Sequence, residues 1–152
     1  MKLYLDCCCY NRPFDEQTQI KVHLESEAIL SIITKCKQNK NEIIGSAALD
    51  FEIESIADFE KKDKVKHFYE QTITKKVNYT DIVVKRVQEL TKLTNIRTLD
   101  KFHLAIAENS GANILLTTDN KFERASLKLN LITRVINPLK YLLEILQNEG
   151  ND

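Results

Sequence analysis

The part of the sequence that decides the fold runs from Gly111 to Asp119 and reads Gly-Ala-Asn-Ile-Leu-Leu-Thr-Thr-Asp. Its centre, Ile114 to Thr117, is an uninterrupted run in which polar and apolar residues do not alternate. A short run of this kind indicates a strand that is covered on both faces, as in parallel sheets. The run stops at Thr118 and Asp119, so an acidic residue follows the carboxyl end of the predicted strand.

Comparable short runs occur elsewhere and alternate with helical patterns. Strands are predicted at residues 2–5, 42–45 and 131–136 in addition to 114–117. Helices are predicted from about Gln17 to Lys37 with Ile20, Leu24, Ala28 and Ile32 on one face, from a cap at Ser46 through Ile56, over Val65–Thr72, from a cap at Thr80 through Leu90, from a cap at Thr98 to about Gly111, and from Pro138 through Ile145. This alternation predicts an α/β fold with a parallel sheet, in which ligands bind at the carboxyl ends of the strands.

Length and composition indicate one domain. The 152 residues are 43% hydrophobic and 29% charged, and they contain no repeat or Gly/Pro-rich linker. The longest uncharged run has ten residues, whereas a membrane helix needs about 20, and no signal peptide is evident. We therefore predict a single domain over residues 1–148, a short tail at 149–152, and no association with a membrane.

Three of the four cysteines are consecutive, at Cys7, Cys8 and Cys9. If the first strand continued through them, Cys7 and Cys9 would point one way and Cys8 the other. The spacing suits neither a disulfide framework nor a zinc site, so buried free thiols are expected. Free thiols favour a reducing, cytoplasmic location.

The net charge is zero, but its distribution is uneven. Residues 1–60 carry a net charge of −5, residues 61–101 carry +6, and residues 102–152 carry −1. This balance argues against a basic DNA-binding module. The basic segment 61–101 is equally consistent with a solvated helix face and with contacts to phosphate.

Four acidic residues stand at positions where a sheet of this kind binds ligands. Asp6 ends the first strand, Glu52 lies in the helix after the second, Asp100 lies in the first turn of a helix, and Asp119 follows the strand at 114–117. Taken singly, Asp100 and Asp119 suit helix N-termini and Glu52 suits a surface. Together they would repel one another unless a divalent cation relieved the repulsion.

Carboxylates and water are the ligands of Mg²⁺ and Mn²⁺, whereas zinc would call for His or Cys. Such a cation lowers the pKa of water and neutralises charge on a phosphoryl group. The acidic residues therefore predict hydrolysis of a phosphodiester.

Four motifs in this order resemble the PIN domain family. They are Leu3-Tyr4-Leu5-Asp6, Ser46-Ala47-Ala48-Leu49-Asp50-Phe51-Glu52, Asp100-Lys101-Phe102-His103-Leu104-Ala105-Ile106-Ala107 and Leu115-Leu116-Thr117-Thr118-Asp119. The resemblance implies a three-layer α/β/α sandwich around a central parallel β-sheet. It also implies a metal-dependent ribonuclease that acts on RNA, as in the toxins of bacterial toxin–antitoxin pairs, with an antitoxin protein as partner and a homodimer as the assembly.

The resemblance implies the site residues position by position. The catalytic acids are Asp6, Glu52, Asp100 and Asp119; of these Asp6, Asp100 and Asp119 are the implied metal ligands, and the cofactor is Mg²⁺ or Mn²⁺. Thr118 corresponds to the small hydroxyl residue beside the last acid, which orients carboxylates or water. Glu54 is the alternative to Glu52 and lies on another face of the helix, so we select Glu52 by its spacing from Ser46.

Several features depart from the family pattern or stay open. Cys7 stands where a Thr or Ser is common, and a thiol is a poorer hydrogen-bond donor. In the following loop Asn11 either binds water or substrate or holds the turn, Arg12 is a candidate phosphate contact, and Asp15 is expected to hold the turn. His103 lies one turn after Asp100 and either faces the site or, as is more common, is a packed residue.

Two further functions compete with the nuclease. One is a catalytically silent PIN-like module that binds RNA or a protein. The other is a receiver domain phosphorylated on Asp, which fits poorly because no paired acids follow the first strand.

Overall fold

A parallel sheet forms the centre of the molecule, and the computed structural model describes residues 1–150. The strands are β1 (Lys2–Leu5), β2 (Glu42–Ser46), β3 (Lys75–Val77), β4 (Ile114–Leu116) and β5 (Arg134–Ile136). The helices are α1 (Cys7–Asn11), α2 (Ile20–Gln38), α3 (Ala47–Glu54), α4 (Phe59–Thr72), α5 (Asp81–Leu93), α6 (Thr98–Asn109), α7 (Asn120–Ser126) and α8 (Pro138–Gly150), and a 3₁₀ turn covers Arg12–Phe14.

The strands pair in the order β3-β2-β1-β4-β5, and every pair is parallel. Leu3, Tyr4 and Leu5 of the central strand are all fully buried. Because successive side chains point to opposite faces, a strand buried at every position is covered on both sides. The predicted three-layer α/β/α sandwich with a central parallel sheet is thereby confirmed.

The order of the strands fixes the place for a site. From β1 the chain proceeds to β2 and β3 on one side of the sheet, and later returns to β4 and β5 on the other side. The carboxyl ends of β1 and β4 are therefore neighbours at the point where the strand order reverses. In open α/β sheets this point is where ligands bind.

Side-chain caps begin several helices. Ser46 accepts the N–H of Leu49 and begins α3, and Thr80 accepts the N–H of Val83 and begins α5, both as the sequence predicts. The predicted cap at Thr98 is wrong. Thr98 is the first helical residue of α6, and Arg97 occupies the capping position without a side-chain cap.

Helix α2 lies where it was predicted, but its buried face is rotated. Ile20 is 77% exposed and Leu24 is 47% exposed, whereas Ala28 and Ile32 are buried as expected. Glu25 is also fully buried. Apolar residues spaced four apart therefore do not predict the buried face at the start of α2, because a carboxylate, Glu25, occupies the core side there.

Three local predictions also need correction. Cys7, Cys8 and Cys9 form the helix α1 rather than extending the first strand, so they do not alternate between two faces. Strand β3 is absent from the prediction because Lys75 and Lys76 are exposed at the edge of the sheet, where no apolar pattern is required. Strand β5 begins at Arg134, three residues later than predicted.

The end of the chain differs from the predicted boundary. Helix α8 continues through Gly150, and Glu149 contacts Lys35 of α2, so two residues of the predicted tail belong to the last helix. The other two, 151 and 152, lie outside the described residues. Within residues 1–150 every helix is too short or too polar to cross a membrane.

Candidate functional site

Asp6 stands between β1 and α1 at the carboxyl edge of the sheet. Its Oδ1 accepts the backbone N–H of Cys7 at 2.7 Å, and its Oδ2 accepts the hydroxyl of Thr117 at 2.9 Å and the thiol of Cys8 at 3.5 Å. The backbone N–H of Asp6 bonds the carbonyl of Leu116 at 2.9 Å, which ties β1 to β4. The carboxylate is only 2% exposed, so these donors fix its orientation.

Glu52 reaches the same place from helix α3. Its Oε1 lies 2.5 Å from Nε2 of His103, and this nitrogen lies 3.8 Å from Oδ1 of Asp6. Ligand atoms of these three residues all lie within 4.8 Å of one another. Glu54 instead bonds Lys66 at 2.8 Å on an exposed surface. The structure therefore brings Glu52, and not Glu54, to Asp6.

His103 is completely buried and connects Glu52 to the core. Its Nδ1 lies 2.5 Å from the hydroxyl of Tyr4, which lies 2.7 Å from Oγ of Ser46, the cap of α3. Because a carboxylate only accepts, Nε2 carries the proton, and Tyr4 donates to Nδ1 when the ring is neutral. Hydrogen bonds thus run from Ser46, which begins α3, through Tyr4 and His103 to Glu52, which lies on the same helix.

The charges of the site shift the pKa values of His103 and Glu52. Burial alone would lower the pKa of His103, but the bond to Glu52 and the surrounding carboxylates raise it above its usual value. Burial alone would raise the pKa of Glu52, but the bond and charge of His103 and the charge of Arg97 leave it below its usual value. Both shifts favour an imidazolium–carboxylate pair.

Asp100 lies in the first turn of α6 and is 2% exposed. Arg97 holds both of its oxygens, with Nε 3.1 Å from Oδ2 and NH2 3.0 Å from Oδ1. Burial raises the pKa of Asp100, Arg97 opposes this, and the negative charge of Asp6 adds to the rise, so the pKa lies above its usual value.

Asp119 caps helix α7. Its Oδ1 accepts the N–H groups of Lys121 at 2.9 Å and Phe122 at 3.2 Å. Its own N–H donates to the hydroxyl of Thr117 at 3.1 Å, and that hydroxyl donates to Asp6. Asp119 is therefore connected to Asp6 through one hydroxyl, while its carboxylate stabilises a helix N-terminus.

The group of close ligand atoms differs from the predicted metal ligands. Among residues 1–150 it comprises Asp6, Glu52 and His103, whereas Asp6, Asp100 and Asp119 were predicted. Asp100 and Asp119 stay predicted ligands that flank this group. Sequence reasoning favoured a packing role for His103, although its position one turn after Asp100 places the two on one helix face.

The hydroxyl contact to Asp6 comes from Thr117, the residue before the one predicted. Thr118 gives its backbone N–H to Sγ of Cys8 at 3.3 Å. Thr117 was missed because it was counted as part of the apolar strand. The pattern that could have identified Thr117 is a hydroxyl residue directly after the last residue of β4, because this position lies next to the end of β1.

The two candidate substrate contacts, Asn11 at the end of α1 and Arg12 at the start of the 3₁₀ turn, are occupied by protein groups. The amide of Asn11 donates to the carbonyl of Cys7 at 3.0 Å, which holds the turn. Arg12 is paired with Asp15 at 3.1 Å and with the fully buried Glu25 at 3.0 Å. The structure therefore gives Asn11 and Arg12 local structural contacts and leaves their predicted contacts to substrate untested.

The basic segment 61–101 is partly neutralised by neighbouring acids. The ion pairs are Lys61 with Asp15, Lys62 and Lys66 with Glu54, Lys76 with Asp50, Arg86 with Glu89 and Glu108, and Arg97 with Asp100. Most of these pairs are partly exposed, and such pairs contribute little to stability. The positive surface that the sequence suggests is therefore smaller than the net charge of +6 implies.

The donor set suits a hard divalent cation. Three carboxylates, Asp6, Glu52 and Asp100, face only two cationic groups, Arg97 and His103, so negative charge is in excess. Their oxygen ligands fit Mg²⁺ or Mn²⁺ better than zinc, and His103, whose two ring nitrogens bond Glu52 and Tyr4, supports Glu52 and does not itself bind the cation. The residues present therefore fit a site for one of these cations.

Comparisons with known proteins bear on the family and the fold of this chain. The model of the family described as PIN domain matches residues 19–128, a range that contains Glu52, Asp100 and Asp119 and begins after Asp6. Among curated proteins no sequence matches significantly.

Two solved structures share the fold. FitAcB from Neisseria gonorrhoeae is 16% identical with a TM-score of 0.60, and the match covers 90% of this chain and 97% of that one. VapBC2 from Rickettsia felis, bound to a DNA fragment from their promoter, is 14% identical with a TM-score of 0.59, and the match covers 90% of this chain and 98% of that one.

Proposed function

Because this chain belongs to the PIN domain family, we propose that it is an endoribonuclease that hydrolyses RNA phosphodiester bonds with Mg²⁺ or Mn²⁺. The observation that carries the proposal is the convergence of Asp6 and Glu52 on His103 at the carboxyl ends of neighbouring strands, with Asp100 beside them. Carboxylates concentrated in this way are stable when a cation compensates their charge.

The chain's own groups have distinct tasks in this proposal. A bound Mg²⁺ or Mn²⁺ would supply charge neutralisation at the phosphoryl group and a lowered pKa of water. Asp6, Asp100 and Asp119 would hold the cation as the resemblance implies, and Glu52, which lies close to Asp6, would join them. Thr117 fixes the rotamer of Asp6, and His103 fixes that of Glu52.

The proposed biological role is that of the toxin in a toxin–antitoxin pair, acting in the cytoplasm. The resemblance of the sequence motifs and the shared fold with FitAcB and VapBC2 support this role. The proposed partners are an antitoxin protein, which would block the nuclease, and a second copy of the chain in a homodimer. Co-expression with a small neighbouring reading frame that restores growth would support the role.

The nuclease activity is tested with purified protein and a labelled RNA oligonucleotide, with Mg²⁺, with Mn²⁺ and with chelator. We expect cleavage only with metal, and a loss of about 100-fold or more for Asp6→Asn. Glu54→Gln is the control, because Glu54 is an acid of α3, the helix that carries Glu52, and it faces away from the site. Activity that survives Asp6→Asn, or that persists with chelator, would contradict the proposal.

A second candidate function has one specific observation in its favour. Every acid of the site already has a partner within the protein: Thr117 for Asp6, His103 for Glu52, Arg97 for Asp100 and the start of α7 for Asp119. A site satisfied in this way is compatible with a catalytically silent module that binds RNA or a protein. Salt-dependent RNA binding without any binding of divalent metal would favour this candidate.

A further inference from the structure

Arg97, like Arg12 and Arg86, pairs with an acid three residues further along the chain, but its surroundings differ from theirs. It occupies the capping position of α6 but contributes no side-chain cap, so the helix does not need its side chain to begin. Its side chain is 62% exposed, although its partner Asp100 is only 2% exposed. Arg97 therefore extends from the rim of the site to a carboxylate inside it.

The contact is bidentate and uses both oxygens of Asp100. The negative charges of Asp100, Glu52 and Asp6 all act on the guanidinium and raise its pKa above the usual value. A guanidinium is always charged, and its planar fork matches a phosphate as well as a carboxylate. Arg97 thus brings a permanent positive charge to the place where a divalent cation would bind.

We propose that Arg97 is an exchangeable counter-ion of the metal site: a divalent cation that binds at Asp100 displaces the guanidinium, which then binds a phosphate of the RNA. The proposal rests on the proposed nuclease function and concerns the regulation of the same site. Two cations compete for one carboxylate, so each lowers the affinity of the site for the other. The exchange couples the arrival of metal to the appearance of a phosphate-binding group at the rim.

Arg12 and Arg86 do not offer this exchange. Arg12 is held by Asp15 and the fully buried Glu25, and Arg86 is held by Glu89 and Glu108. Each would have to leave two acids. Arg97 has a single ion-pair partner among the described residues and is the most exposed of these three side chains.

Arg134 provides a matched control. It makes a bidentate pair with Glu144, with both distances 2.7 Å, and its side chain is 56% exposed. Arg134 begins β5, so it lies toward the amino ends of the parallel strands, opposite the edge that carries Asp6. Substitution there removes the same kind of ion pair at a distance from the metal site.

The first experiment measures the affinity for Mn²⁺ by titration calorimetry with the full chain, after thermal melting has shown that each variant folds. We expect Arg97→Gln to bind Mn²⁺ roughly tenfold more tightly than the unaltered protein, because one competing charge is removed. Arg134→Gln should bind as the unaltered protein does. If Arg97→Gln binds Mn²⁺ equally well or more weakly, Arg97 only supports Asp100 and the exchange is refuted.

A second measurement follows release of the guanidinium directly. Phenylglyoxal modifies free arginines, and mass spectrometry reports the rate at Arg97 with Arg134 as the internal reference. We expect Mn²⁺ to accelerate modification of Arg97 and to leave the reference unchanged. Equal rates with and without Mn²⁺, at concentrations where calorimetry detects binding, would refute displacement.

Steady-state kinetics test the phosphate contact, and the Mn²⁺ titrations distinguish failure of the exchange from failure of the proposed nuclease. With saturating Mn²⁺, Arg97→Gln should raise the KM for RNA severalfold with a smaller effect on kcat, and an unchanged KM would refute the phosphate contact. If neither the unaltered protein nor Arg97→Gln binds Mn²⁺, the metal site itself is refuted, and the proposed nuclease falls together with the exchange. A site that binds Mn²⁺ without the Arg97 effect refutes the exchange alone.

Discussion

Replacing Thr117 by valine removes one hydroxyl and keeps the shape of the side chain. This hydroxyl donates to Oδ2 of Asp6 at 2.9 Å and accepts the N–H of Asp119 at 3.1 Å. Thr117 is fully buried and Asp6 is 2% exposed, so water does not readily replace the lost bonds. The substitution therefore leaves a buried carboxylate oxygen with a weaker set of donors.

The magnitude follows from the two bonds. A hydrogen bond to a charged group contributes about 1.5–3 kcal/mol, and the N–H of Asp119 loses an acceptor in a partly exposed position. We expect the free energy of unfolding to fall by roughly 2–4 kcal/mol. With a urea m-value of about 2 kcal/mol/M, the midpoint of unfolding would fall by about 1–2 M.

The assay is equilibrium unfolding in urea, followed by circular dichroism, together with calorimetric titration of Mn²⁺. Because Thr117 orients Asp6, the affinity for Mn²⁺ should fall by about 10–100-fold, as for other groups that orient a metal ligand. Thr118→Val is the matched control, since Thr118 contacts Cys8 through its backbone and its substitution leaves that bond in place. An effect of Thr118→Val as large as that of Thr117→Val, on stability or on Mn²⁺, would refute the reasoning.

Three other substitutions test separate parts of the structure. Gly45→Ala should destabilise the protein by about 1–3 kcal/mol in urea unfolding, because the new Cβ would lie 2.7 Å from the buried hydroxyl of Tyr69, and an unchanged midpoint would contradict this packing. Tyr10→Phe should be neutral or stabilising by up to about 1 kcal/mol, because the buried hydroxyl of Tyr10 has no hydrogen-bond partner within residues 1–150, and a clear loss of stability would contradict this. Glu52→Gln should weaken Mn²⁺ binding at least about tenfold whereas Glu54→Gln should not, and equal effects would contradict the selection of Glu52.

The sequence predicts the parts of the fold in which a residue's environment follows from its neighbours in the chain. Strands β1, β2 and β4 are buried apart from Lys2 and Glu42 at the starts of β1 and β2, and they read as short, mostly apolar runs. The caps Ser46 and Thr80 bond N–H groups three residues away. The reversal of strand order brings Asp6 and the end of β4 together, so their proximity could also be predicted.

Other features depend on tertiary contacts that no local pattern encodes. Strand β3 is an exposed edge whose lysines resemble a loop, and α2 is rotated because the buried Glu25 pairs with Arg12 and Asn137. The triplet of cysteines resembles a strand in composition, although Asp6 begins a helix there.

The site shows the same division. Spacing from Ser46 selects Glu52, the acid of α3 that bonds His103, over Glu54, which bonds Lys66, because helix geometry alone places the two acids on different faces. The choice between Thr117 and Thr118 depends on which residue ends β4, and the roles of His103 and Arg97 depend on side chains that meet across the fold.

The proposed nuclease requires that the acids at the carboxyl edge of the sheet form a site for a divalent cation. Anomalous diffraction from crystals soaked in Mn²⁺ locates such an ion without reference to activity. We expect an anomalous peak within bonding distance of carboxylate oxygens of Asp6 and Glu52, and its loss in crystals of Asp6→Asn. Mn²⁺ peaks found only at other surfaces, in crystals where these two side chains are well ordered, would contradict this expectation.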